Sequence, residues 1–182
     1  MSTETLQRRV WDALSSVPDP EIPTCSIVDL GMVERVEVTE SSVEVDLLPT
    51  FVGCPAKDII GEDVEAALGA VGDGRAVRVS FVYDPPWTTE RITEKGKAGL
   101  RALGISPHWE QPPAAGPVPV SLIRDAGTAC PYCGSADTVM EAAFGPTPCR
   151  TTHFCRSCRN PFEGFKEKRS PVAPPRSAST TR

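Results

Sequence analysis

The sequence predicts an α+β protein: a small two-layer domain with element order α-β-β-α-β-α, followed by a four-cysteine metal ribbon. Three observations carry this. Val43, Val45 and Leu47 alternate with Glu44 and Asp46, and Val77, Val79, Phe81 and Tyr83 alternate likewise, as half-buried strands do. Apolar residues recur at helical spacing in residues 3–14 and 55–71. Near the end, Cys130-Pro131-Tyr132-Cys133 and Cys155-Arg156-Ser157-Cys158 repeat a C-x2-C pattern.

The first helix carries Leu6, Val10 and Leu14 on one face, with Ser2 or Thr3 as its cap. It stops at Val17-Pro18-Asp19-Pro20-Glu21-Ile22-Pro23, because three prolines forbid its continuation. A turn at Ser26-Ile27-Val28-Asp29-Leu30-Gly31 leads into strands at 33–38 and 43–48, joined by Thr39-Glu40-Ser41-Ser42 as a hairpin. Pro55 is placed to begin the second helix, whose apolar face is Ile60, Val64, Ala67, Leu68 and Val71. Gly72-Asp73-Gly74 ends it ahead of the third strand. Thr88 or Thr89 is the expected cap of a last helix bearing Ile92, Gly99, Leu100 and Leu103, closed by Gly104 and Pro107.

Four segments are expected: the α+β domain at 1–106, a proline-rich linker at 107–125, the ribbon at 126–168 and a disordered tail at 169–182. The 182-residue chain has a net charge of −5, unevenly spread. Residues 1–106 hold 10 basic and 18 acidic groups, a balance that repels a phosphate backbone and excludes nucleic acid as the domain's partner. No apolar run is long enough to span a membrane, and the opening residues have no continuous apolar stretch, so a cytoplasmic protein is expected. Seven cysteines in such a chain read as metal and redox chemistry before disulfides.

The paired knuckles Cys130, Cys133, Cys155 and Cys158 supply four thiolates able to surround one Zn²⁺. A unit of about 40 residues rarely folds without such a staple. Spacing alone does not name the metal. Cys149-x5-Cys155-x2-Cys158 stands one residue off a plant-type ferredoxin run, so an iron–sulfur cluster is the alternative, with redox dithiols behind it. Cys149 reads as a small apolar loop residue, an additional metal ligand or a redox thiol. The ribbon's basic residues, Arg150, Arg156, Arg159, Lys166, Lys168 and Arg169, are offset by its acidic groups and metal thiolates, so nucleic acid is not expected there either.

In the first domain the candidate reactive atom is the Cys54 sulfur. Phe51-Val52-Gly53-Cys54-Pro55 leaves a strand and enters a helix, where unpaired N–H groups and the dipole favour a thiolate, with Lys57 adding to this. A buried Cys packed under the turn is the other reading. Cys25 is a weaker candidate; the Asp19, Glu21 and Asp29 carboxylates nearby are candidate accessory ligands or ordinary turn and cap residues.

Complete catalytic sets are missing from the sequence. A carboxylate-bridged di-iron site needs Glu-x-x-His pairs, and His108 and His153 have Ile105 and Arg150 three positions before them. Gly72-Asp73-Gly74 is followed by Val77 where a dinucleotide fingerprint needs glycine, and there is no P-loop. A non-catalytic component is expected.

Asp19-Pro20-Glu21-Ile22-Pro23, Ile27-Val28-Asp29-Leu30-Gly31, Gly53-Cys54-Pro55 and the strand at 79–84 ahead of Pro85-Pro86-Trp87 resemble the MIP18 (DUF59) domain, associated with iron–sulfur protein maturation. The ribbon, with Gly145-Pro146-Thr147-Pro148-Cys149 and Asn160-Pro161-Phe162-Glu163, is similar to the PaaD (PaaJ) family of the phenylacetyl-CoA epoxidase system. Both parts match in order up to Lys168. The resemblance puts the domain's characteristic cysteine on Cys54, the ribbon ligands on Cys130, Cys133, Cys155 and Cys158, and the family's extra cysteine on Cys149, with Asp29 an accessory candidate. It implies an accessory role in aerobic phenylacetate degradation beside the oxygenase and iron–sulfur reductase subunits, assisting iron–sulfur or di-iron centre maturation. Zinc in the ribbon and a transient Fe ion or Fe–S cluster on Cys54 are the implied cofactors. A homodimer, a stable structural role in the oxygenase complex and a general iron–sulfur assembly role are the alternatives it leaves.

Overall fold

The computed structural model describes residues 3–107 and 128–165. The expected linker beyond Pro107, the tail at 169–182 and the outer residues of the ribbon segment, 126–127 and 166–168, lie outside them.

Helix α1 (Thr3–Ser16) and helix α2 (Lys57–Val71) pack together over one sheet. That sheet has the order β3 (Val33–Val38), β4 (Ser42–Leu47), β5 (Ala76–Phe81). Strand β4 is central, antiparallel to β3 and parallel to β5. The parallel pairing requires a crossover, and α2 supplies it. Leu6, Val10 and Leu14 from α1, Ile60, Val64 and Leu68 from α2, and Val43, Val45 and Leu47 from β4 form one buried core. The two-layer α+β class and the hydrophobic periodicities that predicted it are what the chain adopts.

Several boundaries differ from expectation. The proline-rich stretch after α1 is a small antiparallel ribbon, β1 (Pro18–Asp19) with β2 (Ile22–Ser26), whose two-residue turn tolerates proline where a helix does not. Asp19 Oδ1 accepts hydrogen bonds from the Glu21 and Ile22 backbone N–H groups at 2.9 Å each and shapes that turn. Helix α2 begins at Lys57, two residues later than predicted, because residues 55–56 form a turn. Strand β5 stops at Phe81, short of Tyr83. The last helix divides: Thr89–Arg91 is a single 3-10 turn, and Thr93, not Thr88 or Thr89, caps α3 (Glu94–Ala102) by accepting from the Gly96 N–H at 3.0 Å.

The second sheet joins the two parts of the chain. Its order is β6 (Ile105–Ser106), β9 (Pro161–Phe165), β8 (Arg150–Cys155), β7 (Thr138–Ala142). The ribbon strands β7, β8 and β9 are antiparallel, but β6 comes from the end of the first domain and pairs parallel to β9. Across the same seam Trp87 lies against Phe165, with ring centroids 5.4 Å apart at 53°, while its Nε1 donates to Leu30 O at 2.8 Å. The Glu163 N–H donates to Gly104 O, and Ser106 Oγ to Ala129 O. The ribbon is thus built onto the first domain by main-chain pairing and a buried aromatic contact.

Candidate metal centre and the Cys54 seam

The four ribbon cysteines converge. Cys130 and Cys133 flank one turn, Cys155 ends β8 and Cys158 sits in the turn that follows, so the two knuckles face each other. All four sulfurs lie within 4.8 Å of one another, with Cys130–Cys158 and Cys133–Cys155 each at 3.6 Å. A tetrahedral Zn²⁺ with bonds of about 2.3 Å needs sulfur separations of about 3.8 Å, so the donor set fits this ion. The local backbone supports thiolates. The Cys158 N–H points at Cys155 Sγ (3.5 Å), and Asn160 Nδ2 donates to Cys158 Sγ (3.6 Å). Hydrogen bonds from the Asn160 backbone and side chain hold the Cys158 thiol down at about 6, whereas burial and its thiol neighbours push Cys130 up to about 12. Beneath the cluster His153, buried and stacked 5.1 Å from Phe162, is held by desolvation down at about 4 and stays neutral.

Cys54 lies in the loop between β4 and α2, 9% exposed. The structure corrects the expectation of a resting thiolate there. Burial pushes the thiol up, outweighing the Ala56 backbone N–H that donates to it, and negative charge at Cys149, Glu21 and Asp19 opposes ionisation further. The cause is local: α2 starts three residues on, and Lys57 donates to the Tyr83 hydroxyl at 3.0 Å. At rest Cys54 is a neutral, shielded thiol.

Cys149 is not near the ribbon metal cluster in its contacts. It is 6% exposed at the seam, where Sγ donates to Glu21 Oε2 at 3.9 Å and lies 3.1 Å from Thr147 Oγ1. Its neighbour Arg150 reaches across too, donating to Glu21 O at 3.3 Å and to Glu163 Oε2 at 2.8 Å. Glu21 of the Asp19-Pro20-Glu21 turn and Cys149 are thereby brought together from two separate segments. No sequence signal ties Cys149 to Glu21, since their contact joins segments 128 residues apart.

The remaining candidates are engaged elsewhere. Cys25 is buried beneath α3, with Sγ donating to Gly96 O at 3.5 Å. Asp29 accepts from Ser26 N (3.2 Å) and Ser26 Oγ (2.8 Å), from Thr93 Oγ1 (3.3 Å) and from Lys95 Nζ (2.9 Å). Burial opposes its ionisation, but the Lys95 and Ser26 hydrogen bonds prevail and hold it below the ordinary carboxylate value. Its oxygens tie the loop to the start of α3. Among the described residues no helix is long and apolar enough to cross a membrane.

Comparison with known proteins agrees with this construction. Residues 115–166 match the family described as the PaaD zinc beta ribbon domain, and residues 7–81 match the iron–sulfur cluster assembly protein family. The chain is 37% identical over 163 residues to the D-type subunit of the "Putative 1,2-phenylacetyl-CoA epoxidase" of Escherichia coli K12, covering 86% of this chain and 90% of that one. It is 34% identical to the Fe-S protein maturation auxiliary factor YitW of Bacillus subtilis, covering 56% of this chain and 97% of that protein. The crystal structure of a DUF59 domain from Bacillus anthracis superposes with a TM-score of 0.50 at 30% identity, over 53% of this chain and 92% of that one. The four clustered sulfurs are thus a zinc ribbon, fused to a DUF59 domain, and the chain belongs to the PaaD family of the phenylacetyl-CoA epoxidase system.

Proposed function

We propose that this chain is a non-catalytic accessory component of the phenylacetyl-CoA epoxidase system that assists maturation of an iron–sulfur or di-iron centre in partner subunits. Cys54 holds iron or a cluster in transit, and the zinc ribbon docks the client, the oxygenase or the iron–sulfur reductase subunit. The observation that carries this is the environment of Cys54: a buried, shielded thiol in the loop that enters α2, in a domain of the iron–sulfur assembly family. The relatives of that domain are named as maturation auxiliary factors and as an iron–sulfur cluster carrier protein of Mycobacterium tuberculosis, which supports a carrier role over catalysis.

The chemistry follows from the thiol's resting state. A neutral buried thiol is protected from oxidation between loads, and it ionises only when iron arrives, releasing its proton to solvent. Raised proton affinity then aids hand-over, because reprotonation of the freed sulfur favours release to the client. The test is a Cys54→Ser strain grown on phenylacetate. Partner subunits purified from it are expected to lose most of their iron, with epoxidation falling in proportion. Normal iron occupancy and activity in that strain would sink the carrier role and leave a stable structural subunit of the oxygenase complex.

A further inference from the structure

We propose that Asn160 is a positioning residue of the zinc ribbon, whose side-chain amide holds the Cys158 sulfur in the metal set and so governs how firmly the ribbon keeps its ion. The zinc set is separate from Cys54, so this role stands whatever Cys54 carries. Asn160 follows the second knuckle by two residues and is not one of the four ligands. Its Nδ2 donates to Cys158 Sγ at 3.6 Å and to Cys158 O at 3.4 Å, so one amide clasps both the side chain and the main chain of a single ligand. The sulfur and the carbonyl oxygen both accept here, which fixes the amide with its nitrogen toward the knuckle.

The backbone is built to bring the amide there. The two knuckles repeat one set of hydrogen bonds: Gly134 N–H to Cys130 O (2.9 Å) and Cys130 N–H to Ser135 O (2.9 Å) in the first, Arg159 N–H to Cys155 O (2.8 Å) and Cys155 N–H to Asn160 O (3.0 Å) in the second. Gly134 and Arg159 stand at equivalent places, and both are left-handed, with φ of 73° and 61°. Glycine adopts that conformation freely and arginine does not, so the second knuckle carries its turn on a strained residue. Ser135 and Asn160 are thus equivalent in backbone and different in task. Ser135 Oγ meets Ser157 Oγ at 2.7 Å and ties the knuckles together, whereas Asn160 reaches a sulfur. The sulfur it reaches is on the open side of the site: Cys130 and Cys155 are 2% and 0% exposed, while Cys133 is exposed and Cys158 half-buried. A proton or a competing chelator attacks a metal thiolate from such a side. An N–H donor on Cys158 Sγ draws charge from the sulfur and holds its direction, which slows that attack. Water can replace an exposed amide in part, so the contribution belongs at the low end of the roughly ten- to hundredfold range of such partners.

The experiment follows zinc leaving the anaerobic full-length protein for an excess of a chromophoric chelator, and records the absorption of the ribbon loaded with Co²⁺ in place of zinc. Asn160→Ala is expected to release zinc about tenfold faster and to shift the thiolate-to-cobalt charge-transfer bands, with the far-ultraviolet circular dichroism of the loaded protein unchanged. Asn160→Asp keeps the size of the side chain but has no N–H to donate, and it is expected to release zinc at least as fast as Asn160→Ala. Release from Asn160→Ala at the unaltered rate, or retention of zinc by Asn160→Asp as firm as in the unaltered protein, would overturn the role of the amide. If Asn160→Ala takes up no metal, the unaltered protein decides with ¹¹³Cd in the ribbon. A scalar coupling between the metal and an Asn160 side-chain amide proton supports the bond to the Cys158 sulfur, and absence of that coupling overturns it.

Discussion

The Asp29 carboxylate holds together segments 64 residues apart in sequence, joining the Ser26 turn to Thr93 and Lys95 at the start of α3. Lys95 is mostly exposed, so its ion pair contributes little, and the buried Ser26 bonds carry most of the effect. Asp29→Asn is therefore expected to cost about 1.5–3 kcal/mol at neutral pH, read by urea denaturation. Because the folded carboxyl titrates below its ordinary 3.8, that stabilisation is present above about pH 4 and is lost as pH falls through the folded value. The difference between Asp29→Asn and the unaltered protein should shrink on acidification below pH 4, and a constant gap would show that charge plays no part. Legibility at this scale was mixed. The four ribbon cysteines could be read from spacing, because tetrahedral thiolate coordination imposes it. The proton affinity of Cys54 could not, because it depends on burial and on charges from residues 19, 21 and 149.

Strands and helices follow hydrophobic period closely where one face is buried, as in β4, whose inward residues Val43, Val45 and Leu47 are all in the core. Period fails in the short elements. The two-residue strands β1 and β6 carry too few residues to alternate, and they exist because of turn geometry and the partner strand. Helix α3 shows how tightly an element can be set: a Cβ on Gly96 would come within 2.3 Å of Asp29 O, which is backbone and cannot turn aside. Gly69, in α2, faces open space. Gly96→Ala should destabilise by about 1–3 kcal/mol through overpacking, while Gly69→Ala should stabilise by about 0.5–1 kcal/mol through helix entropy. Thermal melts of the two variants moving in opposite directions would establish the close approach of α3 to the loop; equal shifts would refute it.

At the scale of the molecule, the sequence divides into two parts, yet the second sheet crosses between them, because β6 and β9 contribute to it from either side. Nothing in the proline-rich intervening stretch foretells this, since composition reports extension and not destination. The zinc site lies in the same sheet, so metal loading is felt beyond the ribbon. Removing zinc with a strong chelator is expected to unfold β7–β9 and to free β6, lowering the thermal stability of the first domain as well. An unchanged melt of residues 3–107 after chelation would show the two parts to be energetically independent.

The Trp87–Phe165 contact gives the seam an optical signature of its own. Trp87 is buried with its indole N–H bound to a carbonyl, whereas Trp11 is already 37% exposed. Separation of the two halves would carry the Trp87 indole from an apolar to an aqueous surrounding, and its emission would move to longer wavelength without any label. The molecule therefore reports its own assembly in the ultraviolet, at the contact that seats the ribbon on the first domain.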